Sequence, residues 1–243
     1  MAKLSVNVNK VATLRNTRSL DIPNVVHFST IALDAGAHGI TIHPRPDARH
    51  IRPADVYALA ELLKKYPNAE FNIEGNPFHG YMDFIHAVKP TQCTLVPDTL
   101  SQSTSDHGFD TITDAEKLKP VVAELKSLGC RVSLFIDPEP RFADGAKAIG
   151  ADRVELYTEP YASAFANGDP TAVLRYAVTA RHCAELGLGV NAGHDLNLDN
   201  LPPFITAVPQ TLEVSIGHAL IGDALEYGMK ETVRKYLEAC RTA

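Results

Sequence analysis

Eight short apolar or β-branched runs recur along the chain, each followed by a longer stretch with helical spacing, and this alternation restricts the possible folds more than any other feature. The runs are residues 4–8, 39–43, 70–74, 92–96, 131–136, 153–157, 187–191 and 212–216. Such alternation marks βα units around a parallel sheet. Between the runs, 53–66 is predicted to be helical, with Val56, Leu59, Ala60, Leu62 and Leu63 on one face, and 114–128, 170–186 and 219–240 read the same way. Glycines end several of these segments: Gly36 or Gly39, Gly129, Gly150 and Gly187. Each fits a left-handed helix C-cap leading into the next strand.

The chain has 243 residues, close to the roughly 250 usual for one closed α/β barrel. No Pro/Ser-rich linker, charge block or shift of composition divides it. Eight evenly recurring units without a Gly-x-Gly-x-x-Gly fingerprint favour closure over an open doubly wound sheet. The expected fold is therefore α/β, a closed (β/α)8 TIM barrel, with residues 1–243 as a single domain.

Charge and cysteine usage then narrow the functional classes. A formal net charge of −6 opposes general nucleic-acid binding, which needs a basic field to meet phosphates. No apolar stretch is long enough to span a bilayer. The start of the chain, Met-Ala-Lys and then a strand-like run, lacks the features of a secretory signal, so a cytoplasmic location is expected. The cysteines Cys93, Cys130, Cys183 and Cys240 are widely spaced and form no CxxC pair. They read as reduced structural thiols rather than a zinc or disulfide framework.

In closed α/β barrels the chemistry sits where strands end, so polar residues there are the first candidates. The first run ends in Asn7-Val8-Asn9-Lys10, the second in His43-Pro44-Arg45 and the third in Glu74-Gly75-Asn76. The sixth carries Glu155, the seventh leads to Asn191-Ala192-Gly193-His194, and the eighth to Gly217-His218. Any one of these residues is readily explained as a helix cap or a charge partner. Six strands converging on one rim with imidazole, carboxylate, amide and guanidinium groups carry more polarity than capping requires, and a reactive pocket follows.

Two clusters suit phosphate. Gly193-His194 and Ile216-Gly217-His218-Ala219 leave small residues where backbone amides can meet an anion at a helix start. Arg18, Arg45, Arg49 and His50 supply cationic groups in the first and second loops. Two phosphate-bearing substrates would account for both. His79, His86, His107 and His182 lack partner spacing and read as surface or packing residues. Asp137, followed by Pro138-Glu139-Pro140, reads as the start of a helix.

Six motifs extend this reading: Val-Ala-Thr-Leu-Arg-Asn at 11–16, Gly-Ile-Thr-Ile-His at 39–43, Arg-His-Ile at 49–51, Val-Ser-Leu-Phe-Ile-Asp at 132–137, Val-Asn-Ala-Gly-His at 190–194 and Ile-Gly-His-Ala-Leu-Ile-Gly at 216–222. In this order they resemble the pyridoxine 5′-phosphate synthases. The resemblance implies ring closure of 1-deoxy-D-xylulose 5-phosphate with 3-amino-2-oxopropyl phosphate, releasing phosphate and water, with neither metal nor organic cofactor. It implies His43 and Glu74 as proton acceptors, His194 as a proton donor and Glu155 as a stabiliser of transition-state charge. Asn7, Arg18, Gly217 and His218 would hold the aminoketone phosphate, and Arg45, His50 and Thr104 the deoxyxylulose phosphate. Asn9, Lys10 and Asp195 complete the substrate-binding positions, although the family commonly has Asp-His at the first two and Gly at the third. Lys10 would meet phosphate as a point charge. A large homo-oligomer, an octamer, is implied as well.

Two other functions are weighed against this one. A metal-dependent aldolase or epimerase acting on a sugar phosphate would use His43, His194 and Glu74 as a two-histidine, one-carboxylate ligand set. A non-catalytic phosphate-ligand sensor on a barrel would bind without turnover.

Overall fold

A computed structural model describes residues 1–99 and 105–241. Eight parallel strands close into a barrel in sequence order: β1 (Lys3–Asn7), β2 (Gly39–Ile42), β3 (Glu70–Gly75), β4 (Gln92–Leu95), β5 (Arg131–Ile136), β6 (Arg153–Tyr157), β7 (Gly189–Gly193) and β8 (Thr211–Ile216). Closure is made by β8 against β1, with Leu4 opposite Val214 and Val6 opposite Ile216. Helices connect and cover the strands: α1 (Asn9–Asn16), α2 (Val25–Asp34), α3 (Pro53–Leu63), α4 (Met82–Val88), α5 (Ala115–Ser127), α6 (Pro140–Ile149), α7 (Glu159–Ala166), α8 (Leu174–Glu185), α9 (Leu201–Ala207), α10 (His218–Tyr227) and α11 (Met229–Ala239). A parallel pair needs a crossover of this kind, and the right-handed βαβ unit repeated eight times closes the ring.

Side-chain alternation within the strands divides the core into two parts. Leu4 and Val6, Ile40 and Ile42, Val132 and Leu134, and Val214 and Ile216 are buried between strands and helices, where the main apolar core lies. Most of the intervening positions are polar, and many of these bond to one another inside the barrel. Ser5 meets Thr41 at 2.6 Å, and Thr94 donates to Asn72 at 3.0 Å. Gln92 donates to Glu213 at 3.1 Å and accepts from Asn191 at 3.2 Å and from Arg131 at 2.8 Å. Burying amides and carboxyls is tolerable only when they are paired, and these pairs supply that condition. The lower barrel is therefore filled with hydrogen-bonded polar side chains, and the upper barrel opens into a cavity.

Some predicted boundaries move. The seventh strand lies two residues later than the predicted 187–191, because Gly187, with φ of +71°, sits in the left-handed turn that ends α8. Residues 170–173 form turns before α8 rather than its first turn, with Asp169 accepting from the Thr171 backbone at 2.8 Å. The predicted helix 219–240 is two helices broken at Gly228, whose φ of +74° no helix accommodates. The four cysteines are buried and free. Among the described residues no helix is long and apolar enough to cross a membrane.

Candidate active site

A cavity of about 650 Å³ opens at the C-terminal ends of the strands. Its first wall comes from the ends of β1 and β2 and the loops that follow. Asn7 closes β1 and donates to Glu74 Oε2 at 3.4 Å. Asn9, at the start of α1, accepts the His43 backbone N–H at 2.9 Å and so ties the end of β2 to the first helix. The loop after β2 is then clamped from below by the end of α1. Asn16 donates to the carbonyls of Arg49 at 3.2 Å and His50 at 2.7 Å, and the buried Arg15 donates to His50 O at 3.2 Å while paired with Asp55 at 2.6 Å. This clamp presents His43, Arg45, Arg49 and His50 to the cavity on one stiff segment.

Burial sets the charge of these groups. His43 is pushed down to about 3, by desolvation first and then by the positive charges of Arg45 and Arg49. His50 is also lowered to about 3, by desolvation and then by His43, Arg45 and Lys10. Its Nδ1 accepts the Ile51 backbone N–H at 2.9 Å, which places the remaining proton of the neutral ring on Nε2. Both imidazoles are thus neutral near neutral pH, one suited to accept a proton and the other to donate a hydrogen bond. Arg45 is buried and pairs with Asp98 at 2.5 Å, while also donating to Thr99 O at 2.7 Å. Asp98 lies 3.8 Å from His43 Nε2 and accepts from Ser105 at 2.9 Å.

The floor carries two carboxyls. Glu74 on β3 accepts from Ser215 of β8 at 3.3 Å and is raised to about 8, chiefly by desolvation, with Asp98 and Glu213 adding to the effect. Glu155 on β6 is buried and raised well above its usual range by desolvation and then by Glu74 and Glu213. Like-charged neighbours in a water-poor floor cannot all ionise near neutral pH. Val96, Phe135 and Tyr157 form a small separate apolar cluster at this level, lining the cavity beside Glu155.

The opposite wall comes from β7 and β8. Gly193 is obligatory by packing: a Cβ there would lie 2.6 Å from Glu155 Oε1 and 2.9 Å from Ser215 O. His194 follows with φ of +72°, a left-handed conformation uncommon for a residue with a side chain. Its Nδ1 lies 2.5 Å from Asp195 Oδ2, and its ring meets Tyr157 edge-on at 5.4 Å. Gly217 precedes α10, whose first residue is His218, so the helix begins at the cavity with the positive end of its dipole.

Of the residues singled out from sequence, His43, Glu74, Glu155 and His194 line this one cavity, with Asn7, Asn9, Lys10, Arg45, His50, Asp195, Gly217 and His218 around them. Arg18 is exposed beyond the end of α1 and is not among the lining residues. Thr104 lies outside the described residues. Among the described residues no three His, Cys, Asp or Glu side chains stand close enough together to hold a metal ion, so the ligand set of a metal-dependent aldolase is not assembled. His79, His86 and His107 are exposed and His182 is half-buried, paired with Asp144. Sequence reasoning missed Asp98, Ser215 and Tyr157. Asp98 stands just past β4, where the strand-end rule applies, and the other two lie on the inward positions of β8 and β6.

Comparisons with known proteins place the chain in a family and a fold. The profile of the family described as "Pyridoxal phosphate biosynthesis protein PdxJ" matches residues 4–242. The chain is 57% identical over 241 residues to the pyridoxine 5′-phosphate synthase of Albidiferax ferrireducens, covering 97% of this chain and 96% of that one. It is 51% identical over 238 residues to that of Christiangramia forsetii, covering 98% and 99%. Among solved structures it resembles the tryptophan synthase alpha chain of Legionella pneumophila, with a TM-score of 0.68 at 11% identity, covering 98% of this chain and 91% of that one. A likeness of TM-score 0.65 at 10% identity links it to 3-keto-L-gulonate-6-phosphate decarboxylase of Vibrio cholerae, over 98% and 97% of the two chains. The last two show a shared barrel fold.

Proposed function

From membership in the PdxJ family of pyridoxine 5′-phosphate synthases, to which this chain belongs, we propose how its rim cavity closes the pyridine ring. The reaction joins 1-deoxy-D-xylulose 5-phosphate to 3-amino-2-oxopropyl phosphate, with loss of phosphate and water, in vitamin B6 biosynthesis. The observation that carries the assignment is the meeting of His43, Glu74, Glu155 and His194 in one cavity flanked by two separate anion-suited walls.

Arg45 and His50, with Lys10, hold the deoxyxylulose phosphate on the α1 and β2 side, and the resemblance adds Thr104 to that set. Gly217, His218 and Asn7 hold the aminoketone phosphate at the start of α10, whereas Arg18, expected there from the resemblance, lies outside the cavity. Fixing both ketones side by side makes their condensation effectively intramolecular, an effect that can reach about 7 to 11 kcal/mol. Neutral His43 takes protons from the condensing groups. Glu74 holds its proton in the empty site and becomes an acceptor when a positively charged amine or iminium enters, because an opposite charge favours the carboxylate. Glu155 balances that developing positive charge, and His194 returns protons to departing oxygen.

Incubation with both phosphorylated ketones tests this reading: one pyridoxine 5′-phosphate and one inorganic phosphate should form together. Absence of the ring product would overturn it. We further infer a cytoplasmic homo-oligomer, an octamer, from the family resemblance. Leu20 and Ile22, 64% and 71% exposed in the segment after α1, supply the kind of apolar surface that assembly would cover. Sedimentation of the purified protein reads the assembly directly.

A further inference from the structure

His194 and Asp195 form a pair that the assigned reaction does not by itself require. Asp195 belongs to the cavity wall that begins α10, where a carboxylate opposes the binding of a phosphate. Its Oδ2 is instead 2.5 Å from His194 Nδ1. That contact is the largest cause of its lowered pKa, partly offset by desolvation and aided by the charges of His194 and His218. The carboxylate is held in place through its own backbone. Asn200, buried below the loop, donates to Asp195 O at 3.1 Å and exchanges hydrogen bonds with Asn197 at 2.8 and 2.9 Å, while its carbonyl accepts from Tyr161 at 2.8 Å. Tyr157 meets the same imidazole edge-on, with an interplanar angle of 82°. The ring is therefore fixed both in its plane and at one nitrogen.

We propose that Asp195 is the positioning residue of His194, holding the Nδ1 proton so that proton exchange with the reacting molecule runs through Nε2. This rests on the role given to His194 above, and it replaces the substrate-binding role expected of Asp195. A histidine donating one ring N–H to a carboxylate keeps one tautomer and one orientation, and it presents the same nitrogen to the substrate whether neutral or charged. The carboxylate also meets its charge demand within the pair, which removes the conflict with the neighbouring anion site.

The test uses the full-length enzyme labelled with 15N-histidine, with His194 identified by the signals lost in His194→Gln. At a pH where the ring is neutral, the native protein should show the proton on Nδ1, and Asp195→Ala should move it toward Nε2. Turnover should fall by about tenfold or more in both Asp195→Ala and the isosteric Asp195→Asn, at least the loss typical when the carboxylate partner of a metal-bound histidine is removed. KM for the aminoketone phosphate should not rise, because neither substitution removes a contact to that phosphate. An unchanged tautomer in Asp195→Ala, or a raised KM with turnover intact, would overturn the proposal. Lack of ring formation by the native enzyme would defeat the assigned reaction instead, and the tautomer measurement still decides the pairing.

Discussion

Two side chains show how much the role of a group depends on what surrounds it. Glu74, raised to about 8 by its dry setting, differs from Gln in shape by almost nothing and in proton chemistry by everything. Glu74→Gln should therefore keep the fold and both binding events and lower turnover by about 10² to 10⁴; near-native turnover would remove Glu74 from the mechanism. Arg45 has two functions that can be separated. It faces the cavity, where it is assigned to the deoxyxylulose phosphate, and it neutralises the buried Asp98 at 2.5 Å. Removing one member of a buried pair leaves the other uncompensated, at a cost of about 3 to 5 kcal/mol. Arg45→Ala should thus both destabilise the protein and raise KM for the deoxyxylulose phosphate more than for the aminoketone phosphate. Arg45→Ala combined with Asp98→Ala should regain most of the stability but none of the binding. Equal effects on both substrates would contradict the assignment of that wall.

At the scale of elements, the segment joining β8 to α10 is where backbone, rather than side chains, is assigned the ligand. A Cβ at Gly217 would sit 3.2 Å from Cβ, Cγ and Oδ1 of Asn7, so a larger residue both crowds Asn7 and covers the amides at the helix start. Gly217→Val should raise KM for the aminoketone phosphate by about tenfold or more, the loss of one to two charge-assisted hydrogen bonds. His218→Ala, which keeps its amide, should cost less; the reverse order would place the phosphate elsewhere. This site was legible because strand ends in a barrel are marked by a change from an apolar run to a polar residue. The eight strands were legible for the same reason, since period-two patterning survives even a shift of two residues, as in β7. Other features depend on contacts that local pattern does not carry. The break at Gly228 interrupts an apolar stripe that continues on both sides, and the Asp98–Arg45 pair joins residues 53 apart in sequence. Arg18 remains outside the cavity because its position follows from where α1 stops, not from its charge.

For the whole molecule, the price of this site is a pH dependence with two opposed arms. His43 and His50, lowered to about 3 from 6.5, refuse protons that the unfolded chain binds. Their contribution to stability is complete above about pH 6.5 and is lost as the pH falls toward 3. Glu74 acts in the opposite sense: the folded protein keeps its proton up to about pH 8, while the unfolded chain releases it near 4.5. Stability from that group is complete below pH 4.5 and is lost as the pH rises to 8, and the raised Glu155 and Glu213 act in the same direction. Lowered carboxylates such as Glu70, held at about 2 by Arg131 and Lys3 against desolvation, add to the loss on the acid side. Thermal stability should therefore peak between about pH 4.5 and 6.5 and decline from 6.5 to 8, where the histidines of the unfolded chain give up their last protons while the floor carboxyls of the folded protein still hold theirs. Glu74→Gln has no proton to lose, so it should flatten that decline and melt higher than the native protein at pH 8. Calorimetric melting of both proteins across this range decides the matter. A native Tm that keeps rising from pH 6.5 to 8, or a decline that Glu74→Gln leaves unchanged, would show that the floor carboxyls ionise as freely in the folded protein as in the unfolded chain.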